Sequence, residues 1–101
     1  MKIGFIGLGN MATAMIGGML QKAIAAPEDI IGSSKTLTTA EKVKTKFNIN
    51  ATTDNKTVAE QSDILFLAVK PIFFPEVIAE IRETVRPETL IVSIAAGRTL
   101  D

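Results

Sequence analysis

Three groups of residues in this sequence have types and spacings suited to chemistry. The first is Gly7-Leu8-Gly9-Asn10-Met11-Ala12, a G-x-G-x-x-A pattern. The second is Ser33-Ser34-Lys35, two small hydroxyls beside an ammonium, and the third is Lys70, which directly follows the apolar run Ile64 to Val69. All three suit the holding of an anion. Covalent and metal chemistry find little to work with, because the chain has no histidine, cysteine, tryptophan or tyrosine. Imidazole bases, thiol nucleophiles, the usual zinc clusters and serine–histidine pairs are excluded among these residues.

A glycine pattern carries weight only where a strand enters it and a helix leaves it. Lys2-Ile3-Gly4-Phe5-Ile6 reads as a short buried strand. From Asn10 onward, Met11, Ala14, Met15, Gly18 and Met19 fall on one helical face, with no breaker before Pro27. In that setting Gly7 allows the tight turn and Gly9 lets a pyrophosphate approach the backbone. Ala12 keeps helix and strand close. The helix N-terminus adds unpaired N–H groups and the positive end of a dipole. The expected ligand is a dinucleotide.

The remaining elements must bring the other two groups to that turn. Ile30-Ile31-Gly32-Ser33 is a second strand. A site built for NAD carries an acid at the end of this strand to accept from the ribose hydroxyls. Here Gly32-Ser33-Ser34-Lys35 stands there, while Glu28 and Asp29 precede the strand and lie at its other end. Hydroxyls followed by a lysine suit a 2′-phosphate; the same residues also make an ordinary polar turn. Thr38-Thr39-Ala40-Glu41 has capping-box spacing and opens a helix to about Phe47, on which Lys42, Lys44 and Lys46 form a solvated face. A short strand near Asn48 to Thr52 follows, then a brief helix capped by Thr53 or Asp54 and ending near Gln61. Asn55 at its start either faces a nucleotide or bonds the local backbone.

Asp63 to Val69 is a continuous apolar run after its first residue, the mark of a strand covered on both faces. Ala68, Val69, Lys70 and Pro71 then lie at its carboxyl end, where ligands bind in an open parallel sheet. Lys70 serves the crevice or simply marks where the strand reaches water. Pro75 opens a helix with Val77, Ile78, Ile81 and Val85 in one stripe. Leu90 to Ala95 is a fifth strand, with Ala96-Gly97 leaving it. Strands alternating with helices through right-handed crossovers give an α/β doubly wound parallel sheet, a Rossmann dinucleotide-binding fold of order 3-2-1-4-5.

At 101 residues and zero formal net charge, the chain suits one domain and shows no basic surplus for nucleic acid. Its longest apolar stretch falls far short of the ~20 residues that span a bilayer. A soluble, cytoplasmic protein without a nucleic-acid or membrane partner is expected.

Three stretches together resemble pyrroline-5-carboxylate reductase. They are Gly7 to Ala14 with Gly18, then Ser62 to Pro71 ending in Val69-Lys70-Pro71, then Ser93-Ile94-Ala95-Ala96-Gly97. The resemblance implies reduction of 1-pyrroline-5-carboxylate to L-proline with hydride from NADPH or NADH. It implies that Ile6, Gly7, Leu8, Gly9, Asn10 and Met11 hold the pyrophosphate. Ser33, Ser34, Lys35 and Asn55 then face the adenosine half, and Ala68, Val69, Lys70, Pro71, Ala95 and Ala96 border the nicotinamide. NADPH is the expected donor; many bacterial members carry Asn-Arg where this chain has Gly32-Ser33-Ser34, and the missing arginine leaves NADH open. Family members continue into a helical C-terminal domain that dimerises, shapes the substrate pocket and supplies the proposed proton donor. Residues 1–101 are therefore expected to be the cofactor domain of a homo-oligomeric enzyme, with no catalytic residue of their own. The alternatives are another NADP-dependent member of the 6-phosphogluconate dehydrogenase-like group, or a non-enzymatic dinucleotide sensor.

Overall fold

Five strands carry the fold: β1 (Ile3–Ile6), β2 (Ile30–Ser33), β3 (Asn50–Thr52), β4 (Ile64–Leu67) and β5 (Leu90–Ser93). Between them run α1 (Asn10–Gln21), α2 (Leu37–Phe47), α3 (Asn55–Gln61) and α4 (Phe74–Ile81). The computed structural model describes residues 1–94. All strand pairs are parallel, and the order is β3-β2-β1-β4-β5, as the sequence leads one to expect. The register aligns their carboxyl ends. Ile6 stands opposite Ser33 and Leu67, Ser33 opposite Thr52, and Leu67 opposite Ser93. Every loop that leaves a strand therefore departs from one edge of the sheet.

The alternation of side chains along each strand divides the core in two. On one face Ile3, Phe5 and Ile30 pack against Ala12 and Ile16 of α1 and Val43 of α2. On the other, Ile6, Ile31, Leu65 and Leu67 pack against Val58 and Ala59 of α3 and Val77 and Ile81 of α4. The Phe5 and Phe66 rings stack, their centroids 4.9 Å apart.

Four local expectations change. The buried side of α1 is centred on Ala12 and Ile16, with Met15, Met19 and Leu20 half-buried, whereas Ala14 is exposed. The close approach of Ala12 to the sheet rotates the helix away from the face that the methionines alone suggest. The cap of α2 is Thr36, two residues before the expected start: its Oγ1 accepts from Thr39 N at 3.3 Å. α4 keeps Val77 and Ile81 of the stripe, while Val85 packs partly buried from the turn after the helix and Ile78 is 47% exposed, because this short helix covers the sheet with one flank. β4 is fully covered on the α3–α4 side only. Leu65 and Leu67 are buried, while Ile64 and Phe66 are half-buried, since among the described residues no helix of the α1 side extends across it. Asp54, one of two expected caps for α3, accepts from Lys56 N and the Thr57 hydroxyl.

At the amino edge a polar clip ties the elements together. Arg86 donates to Asp63 at 2.7 Å and to the Ser62 carbonyl at 2.7 Å, and Asp63 also accepts from Lys2 N at 2.7 Å. The Lys2 N–H and the Arg86 guanidinium hold the Asp63 carboxyl below its ordinary pKa. No helix among the described residues is long and apolar enough to cross a membrane.

Candidate functional site

The three groups of chemically suited residues meet at the carboxyl edge. Gly7 leaves β1 with φ +100°, and its N–H donates to Ser33 O at 2.9 Å. Ala68 N donates to Ile6 O at 2.8 Å, so the turn is held from both neighbouring strands. A Cβ on Gly7 would stand 2.6 Å from Ala68 O. Here the fold itself requires glycine, through both its φ and this close approach.

Gly9 is different. Its φ of −84° suits any residue, and an added Cβ would meet no atom within 4 Å. Neither backbone nor packing demands glycine at this position. Gly9 is also the N-cap of α1, where no side chain caps the helix and no acid occupies the first turn. The leading N–H groups of a helix lack partners of their own. An open cradle before such donors fits an anionic group that approaches the backbone closely.

Around this turn lie two adjoining hollows. In one, Ile6 and Gly7 face Ser33, Ser34, Lys35, Asn55 and Val69. In the other, Gly7, Leu8 and Gly9 face Ala68, Val69 and Lys70. Ser34, Lys35, Val69 and Phe73 are common to both, so they form one cleft across the switch point between β2, β1 and β4. Thus Ile6, Gly7, Leu8, Gly9, Ser33, Ser34, Lys35, Asn55, Ala68, Val69 and Lys70 are gathered as the sequence suggested. Leu8 takes part through its backbone, because its side chain is buried in the core over Gly32. Asn10 lines a third hollow toward α2, with Thr13 and Lys42, which shares Leu8, Gly9 and Thr39 with the second. Met11 is half-buried in the first turn of α1, and Pro71 is exposed at the start of the 3-10 turn Pro71–Phe73. Ala95 and Ala96 lie outside the described residues.

Ser33 is wholly buried, and its hydroxyl donates to Asn55 Oδ1 at 2.5 Å. Asn55 Nδ2 in turn donates to Glu80 of α4 at 2.9 Å. The Ser34 hydroxyl donates to Thr36 O at 2.7 Å. Lys35 reaches over the Phe73 ring, 4.1 Å from its centroid. Sequence reasoning missed Glu76, Glu80, Phe73 and Thr53, all of which line the cleft. The four-residue spacing of Glu76 and Glu80 was the available signal, since it puts both on one flank of a helix.

A family model described as NADP oxidoreductase, coenzyme F420-dependent, matches residues 2–97. The chain belongs to this family. It is 40% identical over 100 residues to the pyrroline-5-carboxylate reductase of Escherichia coli, covering 99% of this chain and 37% of that one. The structure of a pyrroline-5-carboxylate reductase from Coxiella burnetii superposes with a TM-score of 0.87 at 31% identity, covering 97% of this chain and 36% of that one. A pyrroline carboxylate reductase from Plasmodium falciparum, with NADP bound, superposes with a TM-score of 0.73 at 30% identity, covering 92% of this chain and 32% of that one. The chain spans about a third of the length of the curated relatives it matches. Family and fold together make this chain an NAD(P)-binding domain.

Proposed function

We propose that this chain is the cofactor-binding part of a pyrroline-5-carboxylate reductase, with NADPH preferred over NADH. The observation that carries the proposal is the open cradle at Gly9, present in a chain that matches such reductases over nearly all its residues. When bound, the reduced nicotinamide supplies a hydride to the imine carbon of 1-pyrroline-5-carboxylate, giving L-proline. The backbone from Ile6 to Met11, with the free N–H groups of α1, holds the pyrophosphate. Ser33, Ser34, Lys35 and Asn55 form the adenosine end, where β2 contributes no acid and Lys35 favours a 2′-phosphate. Ala68 to Pro71, with Ala95 and Ala96, border the nicotinamide. Lys70 is exposed beside that border, and its charge draws the anionic substrate and cofactor toward the cleft.

We extend the proposal to the whole enzyme: cytoplasmic, homo-oligomeric, and completed by a helical C-terminal domain that holds the substrate and donates the proton. Imine reduction needs its substrate in near-attack geometry, and a cleft open to water on one side does not provide it. The test is NADPH oxidation with 1-pyrroline-5-carboxylate, by this chain and by a protein extended through the helical domain. The extended protein should turn over and this chain should bind cofactor without turnover. Comparable activity from both would overturn the division of labour. An inactive extended protein would overturn the substrate.

A further inference from the structure

A cation–π contact joins the two walls of the cleft. Lys35 follows β2 and Phe73 follows β4, so they stand on either side of the turn from β1. Lys35 Nζ lies over the Phe73 ring, 4.1 Å from its centroid. Both backbones are fixed. Phe73 closes the turn that begins at Pro71, its N–H donates to Lys70 O at 2.9 Å, and Pro75 follows in the first turn of α4. On the other side, Ser34 N donates to Thr52 O at 3.1 Å and Thr36 caps α2. What remains free is the four-carbon stem of the lysine, a flexible tether for its charge. The ring takes up that freedom.

The kind of partner matters as much as the position. Glu76 and Glu80 line the same hollow as Lys35. Among the described residues, however, the ammonium forms no ion pair with either. A carboxylate would neutralise the charge and occupy N–H donors that a phosphate needs. A ring face attracts the cation through its quadrupole and leaves both available. We infer that Phe73 is a positioning residue for Lys35: its ring holds the ammonium over the cleft before a ligand arrives, and so strengthens the preference for a 2′-phosphorylated dinucleotide. A tether already ordered loses less entropy when the phosphate binds. The inference rests on the dinucleotide reading of the cleft, with Lys35 at the adenosine end.

The test is a cycle of Phe73→Leu and Lys35→Met, singly and together, with Kd measured calorimetrically for NADPH and NADH. Lys35→Met keeps an unbranched stem without its charge, and should weaken NADPH about tenfold relative to NADH. Phe73→Leu should weaken NADPH about two- to fivefold, the span of a cation–π contact at an exposed site, and NADH less than about twofold. In the Lys35→Met background, Phe73→Leu should leave the NADPH-to-NADH ratio unchanged. Trifluorophenylalanine in place of Phe73 provides an arm that does not depend on leucine being tolerated, because it keeps the shape of the ring and withdraws its negative face. It should reproduce the loss for NADPH, while Phe73→Tyr should preserve the wild-type ratio. Equal losses for both dinucleotides would assign the ring to the base or to the fold and overturn the inference. So would an unchanged ratio in Phe73→Leu, or a changed one that persists without the lysine. An unchanged ratio in Lys35→Met refutes instead the placement of Lys35 beside the phosphate. A wild-type chain that binds neither dinucleotide refutes the dinucleotide reading, and the inference falls with either.

Discussion

Gly7 and Gly9 sit two residues apart in one turn, yet their replacement should damage different properties. Consider Gly9→Val. The backbone at Gly9 is extended, with φ −84° and ψ −167°, which valine adopts readily, and a Cβ meets nothing within 4 Å. Loss of a tolerated glycine cap costs about 1 kcal/mol. A less flexible unfolded chain returns roughly 0.4–1 kcal/mol. The two offset each other, so Tm should stay within about 4 °C of wild type, given roughly 4–8 °C per kcal/mol in a domain of this size. Binding should suffer instead. If the branched side chain denies the pyrophosphate two backbone N–H bonds of roughly 1.5–3 kcal/mol each, affinity falls at least about 100-fold. Gly7→Ala reverses the pattern. At φ +100° the left-handed backbone costs roughly 1–2 kcal/mol. The Cβ placed 2.6 Å from Ala68 O forces a shift worth roughly 1–3 kcal/mol more. Tm should fall on the order of 10–30 °C. Thermal unfolding by circular dichroism and calorimetric titration with NADPH measure both variants. A Gly9→Val chain that binds normally, or one that unfolds as easily as Gly7→Ala, would refute the separation of ligand glycine from fold glycine.

Other outcomes follow from the same geometry. Ser34→Asp should lower NADPH affinity at least about tenfold relative to NADH, because a carboxylate then faces the 2′-phosphate; equal losses for both would remove Ser34 from the adenosine end. Asp63 has its folded-state pKa depressed, so its contribution to stability is present above the unfolded carboxyl value near pH 4 and is lost as pH falls through the lower folded value. Asp63→Asn should therefore flatten the acid limb of Tm against pH, and an unchanged limb would show that the Arg86 clip is not what titrates. Ile16→Ala, at a site with no exposure, should cost about 2–5 kcal/mol in denaturant unfolding. A loss under about 1 kcal/mol would mean that α1 packs less firmly on the sheet than its burial implies.

The strand order could be read from the sequence because each strand is a short apolar run and each helix interrupts it, leaving few chiral ways to connect them. The turn could be read because Gly7 and Gly9 combine a backbone requirement with a position between strand and helix. Ser33 and Asn55 were visible for a similar reason: each sits at the end of an element, where pattern locates it well. Glu76 and Glu80 were not. Helical spacing puts them on one flank of α4, but which flank turns toward the cleft depends on how α4 lies against α3, and that is set by Val77, Ile81 and Val58 packing in three dimensions. Leu8 shows the converse, since its place in the glycine pattern says nothing of the side chain, which turns inward over Gly32. The α1 face was misjudged because methionine and alanine carry a weak apolar signal, and the tight turn before the helix fixes its rotation.

The bonds from Gly7 N to Ser33 O and from Ala68 N to Ile6 O continue the sheet ladder into the loops that would meet a ligand. A receptor built this way is preorganised. The conformational entropy of its loops is given up when the protein folds and is not demanded again at each binding event. Association should then need no slow rearrangement, and variants of the cleft should differ mainly in how long the complex lasts. Residence time, resolved by stopped-flow displacement, is thus the quantity through which changes at Ser34, Asn55 or Glu80 should express themselves, while the on-rate stays nearly constant.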